Sequence, residues 1–160
     1  LGDYKSMSDR YILVIADGSD EMNVALEYAC ARAKKTNRKI IIAAFIEPLD
    51  VLTTQGVQEI MKNEAREDAE LKLNKASSFI KEKSGLTPVL QLREGKIIEE
   101  LIALIEEEKN INVLVLAANA DEKGPGPIIS AITTKEYSRL RIPVMIVPGN
   151  FSKEHIALIT

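Results

Sequence analysis

Five short, almost wholly apolar runs punctuate the chain, and between them apolar residues recur every three or four positions over longer stretches. The runs are Tyr11 to Ala16, Ile40 to Ile46, Val89 to Leu92, Val113 to Ala117 and Val144 to Val147. All have the length of strands. The second, fourth and fifth are apolar at consecutive positions, which is the pattern of strands covered on both faces. The first longer stretch sets Met22, Ala25, Leu26, Ala29, Cys30 and Ala33 on one stripe. Ser19 is placed to cap it, Asp20 and Glu21 fall in its first turn and Lys34 and Lys35 in its last, so the charges complement a helix dipole. The second helical stretch is long, with Val57, Ile60, Met61, Ala65, Ala69, Leu73, Ala76 and Ile80 on one side, a solvated charged face opposite, and Gly85 just past its end. The third, from about Lys96 to Lys109, buries Ile98, Leu101, Ile102 and Ile105. The fourth begins at Pro127, a residue suited to the first helical position, and reaches about Leu140.

Strands alternating with helices imply parallel pairing through right-handed crossovers. The expected fold is α/β: a five-stranded open parallel sheet of order 3-2-1-4-5 with helices on both faces, Rossmann-like. One domain is expected over residues 11–149, with 1–10 a disordered leader in which Met7 is a candidate start, and 150–160 a tail. In this order Val144, Met145, Ile146 and Val147 form an edge strand, apolar throughout with prolines only at its ends, and an unprotected edge of that kind is expected to pair with another chain. The tail carries Ile156-Ala157-Leu158-Ile159, and three readings stay open for it: cover for that edge, an arm across a dimer, or a disordered end.

Composition narrows the function classes. Net charge is −3, with no basic stripe, which speaks against a nucleic-acid or anionic-membrane partner. No apolar run is long enough to span a bilayer. Cys30 is the only cysteine and His155 the only histidine, near opposite ends of the chain, so neither Cys–His catalysis nor a Cys/His metal site is expected. Cys30 reads as a small buried hydrophobe, and the cytoplasm as the natural compartment. Glu99/Glu100 and Glu106/Glu107 are adjacent along a helix and diverge in space, so they read as surface charges.

In an open α/β sheet, ligands bind beyond the C-terminal strand ends where the strand order reverses, here between strands one and four. Two segments border that point: Ala16-Asp17-Gly18-Ser19 and Ala117 to Pro127. Asp17 is placed either to accept hydrogen bonds from an amine or from ribose hydroxyls, or to support the next helix as a turn residue. In the second segment Gly124 and Gly126 permit close backbone approach, Lys123 supplies a cation, and free N–H groups are expected at Ile128, Ile129 and Ser130. Against a phosphate cradle, Pro125 and Pro127 remove two donors, and Asp121 and Glu122 add negative charge. The Gly-Pro-Gly-Pro run then reads as a stiff turn.

From Arg10 to Gly149 the sequence resembles the universal stress protein family. The resemblance rests on VIADGSDEMNVALEYA, on Ile46-Glu47-Pro48, on Gly95-Lys96-Ile97-Ile98, on VLVLAAN and above all on the closing ITTKEYSRLRIPVMIVPG. The EKGPGPIISAI stretch is similar to a branch of the family found in alphaproteobacteria. The resemblance implies an adenine nucleotide alpha hydrolase-like fold, dimerisation through the last strand and, in ATP-binding members, a G-x2-G-x9-G-[S/T] loop after strand four. Counted back from Pro143, those positions fall on Ala117, Ala120, Ser130 and Ala131. The spacing is kept and every glycine is replaced, which penalises positive φ by about 1 kcal/mol or more at each and blocks close phosphate approach. What remains of the implied nucleotide site is Ala16-Asp17, with Phe45 near the implied adenine contact.

Two readings of function follow. One is a non-enzymatic, dimeric stress-response protein with a degenerate nucleotide site. The other is an ATP-binding, slowly hydrolysing member in which the Gly-Pro-Gly-Pro loop replaces the cradle and Lys123 with Mg²⁺ offsets phosphate charge. A phosphoacceptor receiver domain is rejected, because strand three closes on Leu92-Arg93-Glu94 and strand five on Pro148-Gly149, where that fold needs an aspartate and a lysine.

Overall fold

A computed structural model describes residues 9–48 and 52–160. The leader expected over 1–10, including Met7, therefore lies mostly outside the described residues. The strands are β1 (Tyr11–Ile15), β2 (Lys39–Ile46), β3 (Val89–Glu94), β4 (Ile111–Ala118) and β5 (Val144–Pro148). They form one sheet of order β3-β2-β1-β4-β5, and every pairing is parallel. The fold and strand order are those expected from the sequence. The helices are α1 (Asp20–Thr36), α2 (Gln55–Ser84), α3 (Ile97–Glu107), α4 (Pro127–Ala131) and α5 (Lys153–Ile159). None of the helices among the described residues is long and apolar enough to cross a membrane.

Strand alternation divides the core in two. In β1, Ile12 and Val14 face one way, where Leu26, Ala29 and Ala33 of α1 and Leu73, Ala76 and Ile80 of α2 cover them. Leu13 and Ile15 face the other way, against Leu101, Leu104 and Ile105 of α3 and Ile129 of α4. Burial on both faces is why β1 and β2 read as unbroken apolar runs.

The same reasoning fails for β5. Its apolar run reflects an edge and not burial on two faces: Met145 is 42 % and Ile146 39 % exposed, while Val147 is buried in the chain's own core. The Val147 side chain therefore packs within its own chain, while Met145 and Ile146 present theirs outward.

The fourth helix departs from the expected single span to Leu140. Its α-helical hydrogen bonding stops at Ala131, a π-helical turn covers Ile132–Glu136 and a 3-10 turn covers Tyr137–Arg139. The cause is local. Thr133 Oγ1 donates to the Ile129 carbonyl (2.8 Å) and Thr134 Oγ1 to that of Ser130 (2.6 Å), so side chains compete for the backbone acceptors. The β-branched residues there add poor helix propensity.

The tail packs on its own chain. Ser152 caps α5 by accepting the His155 N–H, Ile156 is buried against the α1 face of the core, and the Phe151 and His155 rings meet edge to face at 4.6 Å. Gly149 closes β5 against β4, donating to the Ala118 carbonyl at 2.8 Å. A Cβ there would lie 2.4 Å from that oxygen and 2.4 Å from Glu21 Cγ, so only glycine fits.

Because Leu104 is fully buried between α3 and the sheet, Leu104→Ala is expected to lower unfolding free energy by about 2–5 kcal/mol. Leu158→Ala, at an 85 % exposed position, is expected to leave the urea midpoint nearly unchanged.

Candidate functional site

Helices α1 and α4 leave adjacent strands β1 and β4 on opposite faces of the sheet, and the gap between them opens at the C-terminal strand ends. Two cavities of about 330 Å³ each meet there. One lies between the ends of β1 and β4 and runs under the start of α4; the other lies between β1 and β2 and reaches α2. Ile15, Asp17, Ile97 and Ile128 line both. The two cavities are lobes of one crevice with a single charged residue, Asp17, on the wall between them.

Asp17 is held by its neighbours. Its Oδ1 accepts from the Ser19 N–H (2.9 Å) and the Ser19 hydroxyl (2.7 Å), and Ser19 Oγ in turn accepts from the Met22 N–H (3.2 Å) to cap α1. This is an Asx turn feeding a helix cap. The turn role read from the sequence therefore occupies one carboxylate oxygen. No hydrogen bond among the described residues reaches the other.

Of the residues singled out from the sequence, Ala16, Asp17 and Phe45 line the β1–β2 lobe, and Asp17, Ala117 and Gly126 line the β1–β4 lobe. Ala120, Lys123, Gly124, Ser130 and Ala131 line neither. The free N–H expected at Ser130 is also corrected: it donates to the Gly126 carbonyl at 3.0 Å. Gly126 is the cap, so Ser130 is the first residue able to close a helical hydrogen bond.

The loop that carries the glycines is tied to itself. Asn119 N–H donates to the Pro125 carbonyl (3.1 Å) and Lys123 N–H to Asp121 Oδ1 (3.0 Å). Gly124 and Gly126 have φ of +94° and +114°, conformations that side-chain-bearing residues rarely adopt. The Gly-Pro-Gly-Pro run is in this structure a closed turn.

Several lining residues were not singled out from the sequence. Asn119 and Met22 line the β1–β4 lobe; Glu47, Asp68 and Lys72 line the β1–β2 lobe, and Lys72 pairs with Asp68 at 2.9 Å. Asp68 and Lys72 flank the buried Ala65-Ala69-Leu73 stripe of α2, and that offset is the one sequence signal that could have separated them from the solvated face.

The paired glutamates of α3 serve structure. Arg93 forks onto Glu107 with two hydrogen bonds of 2.8 Å and reaches Glu100 at 3.2 Å, and Arg139 forks onto Glu99. The hydrogen bonds from Arg93 hold the Glu107 carboxyl below the usual range, and those from Arg139 do the same for Glu99. Among the described residues no group of three or more His, Cys, Asp or Glu is placed to hold a metal ion. Nor do the residues fit a phosphate chain with Mg²⁺: the cradle positions carry Cβ atoms, three of the four lie outside the crevice, and α4 has only one α-helical turn behind its N-terminus.

The sequence profile of the universal stress protein family matches residues 10–148. The chain belongs to the universal stress protein family. Among solved structures it is similar to the universal stress protein UspA from Lactobacillus plantarum, with a TM-score of 0.71 and 15 % identity over 86 % of this chain and 97 % of that one. A universal stress protein in complex with cAMP matches at TM-score 0.65 and 20 % identity, covering 89 % and 98 % of the two chains. One from Archaeoglobus fulgidus in complex with dAMP matches at 0.63 and 13 %, covering 88 % and 98 %. At these identities the likeness is one of fold. No curated protein matches the chain.

Away from the crevice, burial pushes the Cys30 thiol up to about 11. In the folded protein at pH 8 Cys30 is expected to resist a thiol-disulfide reagent such as DTNB, and to react fully within minutes in concentrated urea. Rapid labelling of the native state would show the thiol to be accessible.

Proposed function

We propose that this universal stress protein is a non-enzymatic, cytoplasmic dimer whose crevice accepts a nucleoside while lacking the family's grip on phosphates. The observation that carries the reading is the asymmetry around Asp17. Asp17, whose second carboxylate oxygen takes no hydrogen bond from the described residues, lines the β1–β2 lobe together with Phe45, a wall suited to hydroxyl or amine donors. On the phosphate side Ala117 carries a Cβ where a cradle needs glycine, and Ala120, Ser130 and Ala131 stand outside the crevice. The cAMP and dAMP bound by the two structural relatives make an adenine nucleoside the first ligand to try.

Support for the dimer comes from β5. Met145 and Ile146 are exposed on an edge that no other described strand pairs, and exposed apolar edge strands are driven to cover themselves. No catalytic group is assigned, because the acidic pairs of α3 are engaged in ion pairs, Glu100 and Glu107 with Arg93, Glu99 with Arg139 and Glu106 with Lys109.

Isothermal calorimetry with adenosine and with Mg-ATP tests the ligand reading. Adenosine is expected to bind at least as tightly as Mg-ATP, and Asp17→Ala to weaken adenosine by about 10-fold or more, the scale of a hydrogen bond to a charged group. Mg-ATP binding in the low micromolar range, or well above adenosine in affinity, would instead favour an ATP-dependent member. For the assembly, sedimentation is expected to show a dimer that Ile146→Lys converts to monomer; an unchanged mass for that variant would place the interface elsewhere.

A further inference from the structure

We propose that the β1–β4 lobe is a binding site for a small uncharged amphiphile, an apolar body carrying one hydrogen-bond donor, and not for an anion. The lobe encloses about 330 Å³, the lower end of the range for small-molecule sites. Its walls are Ile15 and Val115 from the strands, Met22 and Ala25 from α1, Ile97 from α3 and Ile129 from α4. The polar side chains on it are Asp17, Ser19 and Asn119, and no lysine, arginine or histidine lines it.

Part of the donor set an anion would need is engaged or missing, and charge decides the rest. Ser19 gives both its N–H and its hydroxyl to Asp17. The N–H of Asn119 goes to Pro125, and Pro125 and Pro127 have none, which leaves the backbone amides of Gly126, Ile128 and Ile129 with no cationic side chain beside them. The one charge on the wall is negative, and a desolvated phosphate beside it would meet repulsion with no cation to offset it. An apolar body gains instead from leaving water, at about 25 cal/mol per Å² of surface covered. A hydroxyl, amine or amide N–H on that body can donate to the Asp17 oxygen that has no hydrogen bond from the described residues. The occupant is therefore defined by charge and shape together: neutral, compact, apolar, with a donor at one end. The nucleoside reading concerns the lobe across Asp17 and calls on the same carboxylate oxygen, so the two ligands would compete for it.

N-phenyl-1-naphthylamine, neutral and with a single N–H, is the probe, and its fluorescence reports entry into an apolar site. Isoleucine δ1-methyl spectra of the unaltered protein locate it. Ile129 lines only this lobe, Ile46 borders the other, and Ile146 sits on the exposed β5 edge. The expected result is saturable binding of one probe per chain, a shift of the Ile129 methyl with Ile46 and Ile146 unmoved, and at least a tenfold loss of affinity in Ala117→Leu, which fills the lobe from β4. Tripolyphosphate is expected to leave Ile129 unmoved. Absence of saturable binding, shifts at Ile46 or Ile146 in place of Ile129, unchanged affinity in Ala117→Leu, or a tripolyphosphate shift at Ile129 would each overturn the proposal. Adenosine calorimetry on the same protein reads the nucleoside proposal separately, so either can fail while the other stands.

Discussion

The pairing of β1 with β4 is the contact on which everything else in this protein depends. It places the first strand at the centre of the sheet, buries Leu13 and Val14 on opposite faces, and makes α1 and α4 diverge from neighbouring strand ends. A crevice at that point follows from connectivity before any side chain is chosen. The side chains then decide what the crevice can hold. In the β1–β4 lobe they supply one carboxylate, anchored by a single oxygen to the cap of α1, among walls that are otherwise largely isoleucine, alanine and proline.

Family membership alone does not set what the crevice holds. The family profile covers residues 10–148, while the positions that the resemblance assigns to phosphate-wrapping glycines carry Ala117, Ala120 and Ser130. A loop that merely lost its ligand could have drifted. Instead it is tied at its base through Asn119 and Pro125, held by an Asx turn at Asp121, and bent at two glycines of positive φ. It is a folded turn in its own right, and Pro125, Gly126 and Pro127 border the lobe.

The strands, the helix caps and the sheet order were legible in the sequence because each rests on local pattern. Ser19 with Asp20 and Glu21 announces a helix start, and Ile40 to Ile46 cannot be satisfied except between two layers. What escaped was set by geometry between distant segments. The apolar run of β5 by itself matched a doubly buried strand, while the expected strand order made it an edge, and the order was the sounder guide because periodicity does not say which strand is outermost. The end of α4 was hidden because Thr133 and Thr134 compete for carbonyls only once their rotamers are chosen. In the site, Asp17 was readable from its turn. Asn119, Met22, Asp68 and Lys72 were not, since each looks like an ordinary loop, core or surface residue until the chain brings it to the crevice.

The register pairs Tyr11 with Ile111 and with Lys39, so β1 meets β2 across one short helical connection but β4 only after most of the chain lies between them. Closing so large a loop is slow and entropically expensive. The β1–β2–β3 half pairs near neighbours in sequence, and the crevice lies where the second half of the chain meets β1. It is a seam between parts of the chain that are distant in sequence. A molecule seated there touches both, so it binds only the joined state and shifts the equilibrium toward it by mass action. Occupancy of the seam would then be read directly as persistence of the fold.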